Sequence, residues 1–144
     1  MFSKTCEYAF RATVVVAIAS RNGERLTLTE IAELTGAPKA FTAKVMQDLA
    51  RAGIVTSQRG PNGGFDLPPL MARKVNLRMV IKAVGDDAFS KNCAMGLGLC
   101  KSDDPCPMHD QFSKVRDELN EILETTDVHS LAQGLNNGTK RLRI

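Results

Sequence analysis

The chain has 144 residues, 43% hydrophobic and 24% charged, which suits one globular domain or a small one with an arm and excludes disordered and fibrous classes. With no Trp and only 1 Tyr, a surface built from many stacked aromatics is not expected. The net charge of +3 is unevenly divided: residues 1–78 carry 11 Lys/Arg against 6 Asp/Glu, and residues 79–144 carry 8 against 10. A basic front half and a mildly acidic rear half fit a protein in which one part meets a polyanion and the other does different work.

Near the start, Lys4 and Arg11 precede the apolar run from Ala12 to Ala19, which imitates a secretory signal. Glu7 interrupts the positive region such a signal needs, and residues Tyr8 to Ala19 serve equally as the apolar face of a buried helix. No stretch approaches the roughly 18–20 apolar residues that span a bilayer. A cytoplasmic protein with no membrane partner is expected, and there cysteines serve as thiolates or metal ligands more often than in disulfides.

Helical patterning runs from Thr5 to about Arg21 and closes at Asn22-Gly23. Thr27-Leu28-Thr29-Glu30 fits a capping box. The short helix it opens points Ile31 and Leu34 inward and stops at Gly36. Ala37-Pro38 begins another helix, which buries Phe41, Val45 and Leu49 at i, i+4, i+8 and ends at Gly53. Two short helices joined by a Gly-containing turn make a helix-turn-helix outline.

Ile54 to Gln58 reads as a strand and Gly64 to Leu67 as its partner, joined by the turn-rich loop Arg59-Gly60-Pro61-Asn62-Gly63. A hairpin placed there is a wing. Gly60 and Gly63 let its backbone approach another surface closely, and Arg59 can reach a narrow, negatively charged minor groove. The fold class expected is mainly α with a small β-hairpin wing: a winged helix-turn-helix over residues 1–78, followed by a long dimerisation helix.

The outer face of the second helix of the motif presents Lys39, Ala40, Ala43, Lys44, Gln47 and Arg51. Lys44 and Gln47 can address guanine and adenine edges in a major groove, and Ala40 and Ala43 permit close approach. Lys39 and Arg51 suit phosphates. A solvated helix face is the plain alternative for each.

After Pro68-Pro69 and the Lys74-Val75-Asn76 stretch, Val80, Ile81 and Val84 suggest a short helix ending at Gly85. Three of four cysteines and one of two histidines then fall within seventeen residues: Cys93, Cys100, Cys106 and His109, in a loop over 91–109 rich in Gly and Pro. Such clustering usually holds zinc or an iron–sulphur cluster. Structural zinc loops favour close Cys-x2–4-Cys pairs, whereas the spacings here are x6 and x5, which lean toward a bulkier cluster. Cys6, on the first helix, reads as a free, partly buried thiol, and His129 as a surface or packing residue.

Phe112, Val115, Leu119 and Ile122, with Leu123, recur at 3, 4, 3 in the next helix, a coiled-coil-like seam suited to pairing with a second copy. The outward face carries Lys114, Asp117, Glu118, Glu121 and Glu124. Residues 79–135 thus form a dimerisation region around the cysteine loop, and residues 136–144 a basic tail. A two-fold dimer is what reading a palindromic double-stranded DNA operator requires.

Taken together, the stretch Leu49 to Phe65 and the three-cysteine loop resemble the winged-helix regulators that include the IscR and NsrR types (the Rrf-two family), and the likeness runs from about Phe2 to Leu135. The resemblance implies a homodimeric DNA-binding regulator and not an enzyme. It implies that Arg59 enters the minor groove while Ala40, Ala43 and Lys44 read bases. It implies a cluster held by Cys93, Cys100, Cys106 and His109, with 2Fe–2S favoured and 4Fe–4S a further option. Glu7, supplied by the partner subunit, is the alternative fourth ligand. A zinc-stabilised DNA-binding dimer and a thiol redox enzyme are the competing functions. The second lacks a Cys-x-x-Cys at a helix start. No small-molecule substrate is implied.

Overall fold

Helix α1 (Lys4–Arg21) is buried nearly all round, with Cys6, Ala9, Ala12 to Ala17 and Ala19 out of solvent, in the computed structural model that describes residues 2–138 and 140–142. A helix apolar on every side must be covered on every side. Helices α2 (Leu28–Thr35), α3 (Lys39–Arg51), α5 (Leu77–Ala83) and α7 (Val128–Asn136) all pack against it. Ser3 caps it by accepting from the Cys6 amide, and buried Thr13 donates back to the Ala9 carbonyl at 2.7 Å.

The capping box at α2 is complete: Thr27 Oγ1 accepts from the Glu30 amide while the Glu30 carboxylate accepts from the Thr27 amide at 2.7 Å. Gly36 closes α2 in the left-handed conformation, φ 67°. The α2 expectation fails at one point, since Leu34 stays 45% exposed while Ile31, Ala32 and Thr35 turn inward. In a helix of two turns the contact stripe is narrow, and the Thr35 hydroxyl joins it because it can donate to the Ile31 carbonyl. In α3, Val45 and Leu49 are buried as expected. Phe41 is only half-buried, edge-on to Tyr8 at 5.4 Å, and Met46 takes the inner place beside Val45. Pro38 stands one residue earlier than expected, as the N-cap.

Strands β1 (Thr56–Gln58) and β2 (Gly64–Asp66) pair antiparallel with Ser57 opposite Phe65. The expected strands are shortened to three residues each because Ile54, Val55 and Leu67 leave the ladder and enter the core. Leu26 adds a short third rung beside Phe65. A one-turn helix α4 (Pro69–Ala72) carries the chain from the wing to α5. Asn76 caps α5, its side-chain oxygen accepting from the Met79 amide.

After α5 come a 3-10 turn (Ala88–Ser90), the cysteine loop and the 17-residue helix α6 (His109–Thr125). The α6 seam divides. Leu123 is buried and Leu119 half-buried in a small cluster with Cys6 and Ile81, whereas Phe112, Val115 and Ile122 stay 43%, 61% and 57% exposed. Helix α7, which periodicity does not single out, places Val128 and Ala132 in the main core with Val16, Val45 and Leu49. The basic tail lies partly outside the described residues, at Thr139, Arg143 and Ile144, and Leu142 packs against the core.

Candidate functional site

Two regions gather the residues singled out in the sequence. The first is a groove of about 780 Å³ between α3 and the hairpin, lined by Ala40, Ala43, Lys44, Gln47 and Arg51 together with Leu28, Ser57 and Phe65. These five α3 residues belong to the predicted face; a sixth, Ala50, also lines the groove and does not. Lys39, the first residue of α3, is exposed beyond the groove. Asp48 lies on the same helix, 3.9 Å from Lys44 Nζ and 3.5 Å from Arg51. Both cations are 71% exposed, so these pairs contribute little to stability and leave the charges available. Periodicity missed Asp48 and Ser57, although Asp48 at i+4 from Lys44 was a readable signal.

The wing projects beside this groove with Arg59 exposed at its base. Gly60 adopts φ 109°, and the Gly63 amide donates to the Gly60 carbonyl at 2.9 Å. A Cβ on Gly63 would stand 2.3 Å from the Gln58 carbonyl oxygen, so the tight return of the loop requires glycine there. Asp66, at the other end of β2, is held by Arg25 at 3.1 Å and by the Thr56 hydroxyl.

The second region is a cleft of about 550 Å³ lined by Cys93, Cys100, Cys106 and His109, with Lys101 and Asp104 at its edge. The loop reaches this shape through an antiparallel bridge between Asn92 and Leu99, in which the Cys93 amide donates to Gly98 and the Cys100 amide to Lys91. Gly96 and Gly98, both at positive φ, turn the chain between the two cysteines. His109 enters from the first residue of α6.

The four donors fall into two pairs: the sulphurs of Cys93 and Cys106 are 3.5 Å apart, and Cys100 Sγ is 3.3 Å from Nδ1 of His109. Two thiolates on one tetrahedral metal stand roughly 3.8 Å apart, and a thiolate and an imidazole slightly closer. Each pair therefore has about the separation of two ligands on one metal. Among the described residues, no three His, Cys, Asp or Glu side chains converge as a single ion would require. Two pairs facing one cleft suit two metal atoms.

Electrostatics separates the thiols. The amides of Met95 and Leu97 lower the Cys93 pKa below the ordinary thiol value. At Cys106 the Met108 amide acts the same way, but the neighbouring Cys93, burial and Cys100 outweigh it and raise the pKa. Cys6 lies elsewhere, fully buried under Ile81 and Leu123; burial first, then the Asp86 carboxylate, pushes its pKa up to about 12. It is a packing thiol. Glu7 is engaged on α1 by Lys4 at 2.8 Å and Arg11 at 3.7 Å, and it does not line the cleft of its own chain. His129 sits half-buried on α7, away from the cleft lining. Sequence reasoning also missed Arg116, whose guanidinium donates to Cys100 Sγ at 3.2 Å.

Among the described residues, no helix is long and apolar enough to cross a membrane. The chain is 31% identical over 134 residues to a candidate HTH-type transcriptional regulator of Aquifex aeolicus, covering 91% of this chain and 90% of that one. It is 29% identical to the HTH-type transcriptional regulator IscR of Pectobacterium atrosepticum, over 86% of this chain and 74% of the relative. Its fold is that of CymR, the global cysteine regulator of B. subtilis, with a TM-score of 0.74 at 19% identity over 92% and 96% of the two chains. These relatives are regulators and not enzymes. The family model described as Rrf2, iron-dependent transcriptional regulator, matches residues 2–134, and the chain belongs to that family.

Proposed function

We propose that this protein is a homodimeric, sequence-specific DNA-binding regulator whose affinity for its operator depends on an iron–sulphur cluster held by Cys93, Cys100, Cys106 and His109. The observation that carries the reading is the two donor pairs facing one cleft at the N-terminal end of α6. Their pairing favours a 2Fe–2S group over a single zinc ion and over 4Fe–4S. Bound there, the cluster supplies soft, thiolate-ligated iron that responds to redox state and to small reactive gases.

The chain's own residues do the rest. Residues 1–78 form the DNA-binding head, to whose core α7 is added. Ala40, Ala43, Lys44 and Gln47 meet base edges in a major groove, Lys39 and Arg51 meet phosphates, and Arg59 with Gly60 and Gly63 follows the neighbouring minor groove. The exposed α6 residues Phe112, Val115 and Ile122 cover a second copy, and the paired heads address a palindromic operator with half-sites roughly 34 Å apart. Helix α6 carries both His109 and this dimer face, so the cleft and the spacing of the heads share one rigid element. A DNA-binding regulator of this family acts on the chromosome, which fits a cytoplasmic location.

Anaerobic reconstitution with iron and sulphide, followed by gel shifts against operator fragments selected from random DNA, tests the reading. A coloured protein with two irons per chain, whose affinity changes when the colour is bleached, supports it. A colourless protein that retains stoichiometric zinc overturns it in favour of a zinc-stabilised dimer.

A further inference from the structure

Arg116 is the only guanidinium in contact with a cysteine of the cleft among the described residues, and it makes two bonds there. One Nη donates to Cys100 Sγ at 3.2 Å and the other to the Asn92 carbonyl at 3.3 Å. Arg116 follows His109 by seven residues, two helical turns, so both project from one stripe of α6. Cys100 is accordingly gripped from α6 twice, by His109 at 3.3 Å and by Arg116. Among the described residues, Cys93 and Cys106 have no such cation bonded to sulphur. Among the described residues no carboxylate lies within 4 Å of Arg116, in contrast to Arg78, which is paired with Asp87, so its charge is not spent on a salt bridge.

We infer that Arg116 is a positioning residue of the cysteine centre, bracing Cys100 against α6 and setting the reduction potential of the group bound there; the inference rests on the cluster reading above. Reduction adds one negative charge to a thiolate-bound cluster. A cation bonded to one ligand sulphur stabilises that extra charge and raises the potential. Removing the cation lowers it. Because the contact is made to the half of the centre that also holds His109, loss of Arg116 loosens the link between loop and helix as well.

The test uses the full-length protein, reconstituted anaerobically and titrated with dithionite, in three forms: wild type, Arg116→Met and Arg116→Lys. We expect Arg116→Met to shift the reduction equilibrium at least tenfold toward the oxidised form, 59 mV for a one-electron couple, and Arg116→Lys to recover most of that shift. In the metal-free protein, Arg116→Met is expected to speed exchange of the Cys100 amide at least tenfold, since the Asn92 brace is gone. A coloured Arg116→Met protein with wild-type potential overturns the inference and leaves the cluster reading standing, even if amide exchange quickens, because the contact is then only a structural brace. A colourless wild type overturns both.

Discussion

Leu26 and Phe65 exchange both backbone hydrogen bonds, the Leu26 amide donating to Phe65 at 3.1 Å and the Phe65 amide to Leu26 at 2.8 Å. This pair ties the segment that opens the helix-turn-helix to the inner strand of the wing. The α3 groove and Arg59 are thereby held in one frame.

Arg59→Ala is therefore expected to cost about 1–3 kcal/mol of operator affinity and to relax selectivity at the bases it faces, while melting temperature stays unchanged. Lys44→Ala is expected to weaken binding and relax selectivity at a different position. Gel shifts at fixed salt separate the two, and unchanged affinity in Arg59→Ala would remove the wing from the interface.

Gly63→Ala tests the loop itself. The new Cβ would stand 2.3 Å from the Gln58 carbonyl, so the turn must open and move Arg59. Operator affinity is expected to fall at least as far as in Arg59→Ala, with the helical core intact by circular dichroism.

The divided seam of α6 dictates which substitution probes the dimer. Val115→Glu and Ile122→Glu change residues exposed in the single chain, so a folded monomer is expected by sedimentation at micromolar concentration. Leu119→Glu places a charge in the cluster with Ile81 and Cys6, and is expected to lower the melting temperature as well. If Val115→Glu and Ile122→Glu together still sediment as a dimer, the interface lies elsewhere.

Removing Cys93, Cys100 or Cys106 is expected to abolish the visible chromophore and change operator affinity at least fivefold, without loss of helical content. His109→Ala and Glu7→Ala identify the fourth ligand: the substitution that shifts the spectrum marks the bound side chain. Cysteine variants with full colour and wild-type affinity would remove the cleft from the regulatory mechanism.

Cys6 predicts a pH dependence. Its folded pKa, near 12, lies above the ordinary value of 9.0, so folding favours the protonated thiol. The stabilisation is fully present below pH 9 and is lost as pH rises toward 12. The denaturant midpoint of the wild type is expected to fall across that window more steeply than that of Cys6→Ala, measured at matched ionic strength.

The local chemistry of the chain was decided by short-range sequence. Thr27 and Glu30 complete a capping box because they stand three apart at a helix start, Gly36 turns a helix end, and the Arg59–Gly63 loop makes a hairpin from its own residues. The apolar run of α1 likewise demanded cover on every side, whatever supplied it. What the sequence did not disclose depends on which distant surfaces meet. Leu34 and Ile31 look alike to periodicity, yet Ile31 is sealed in the main core while Leu34 stays half exposed. Leu119 and Val115 share one seam, but Ile81 stands under the first alone. The division of four donors into Cys93/Cys106 and Cys100/His109, and the approach of Arg116 to Cys100 from sixteen residues away, arise because the Asn92–Leu99 bridge folds the loop back onto the start of α6. Spacing along the chain singles out the candidate donors; only the closure of the loop on α6 pairs them.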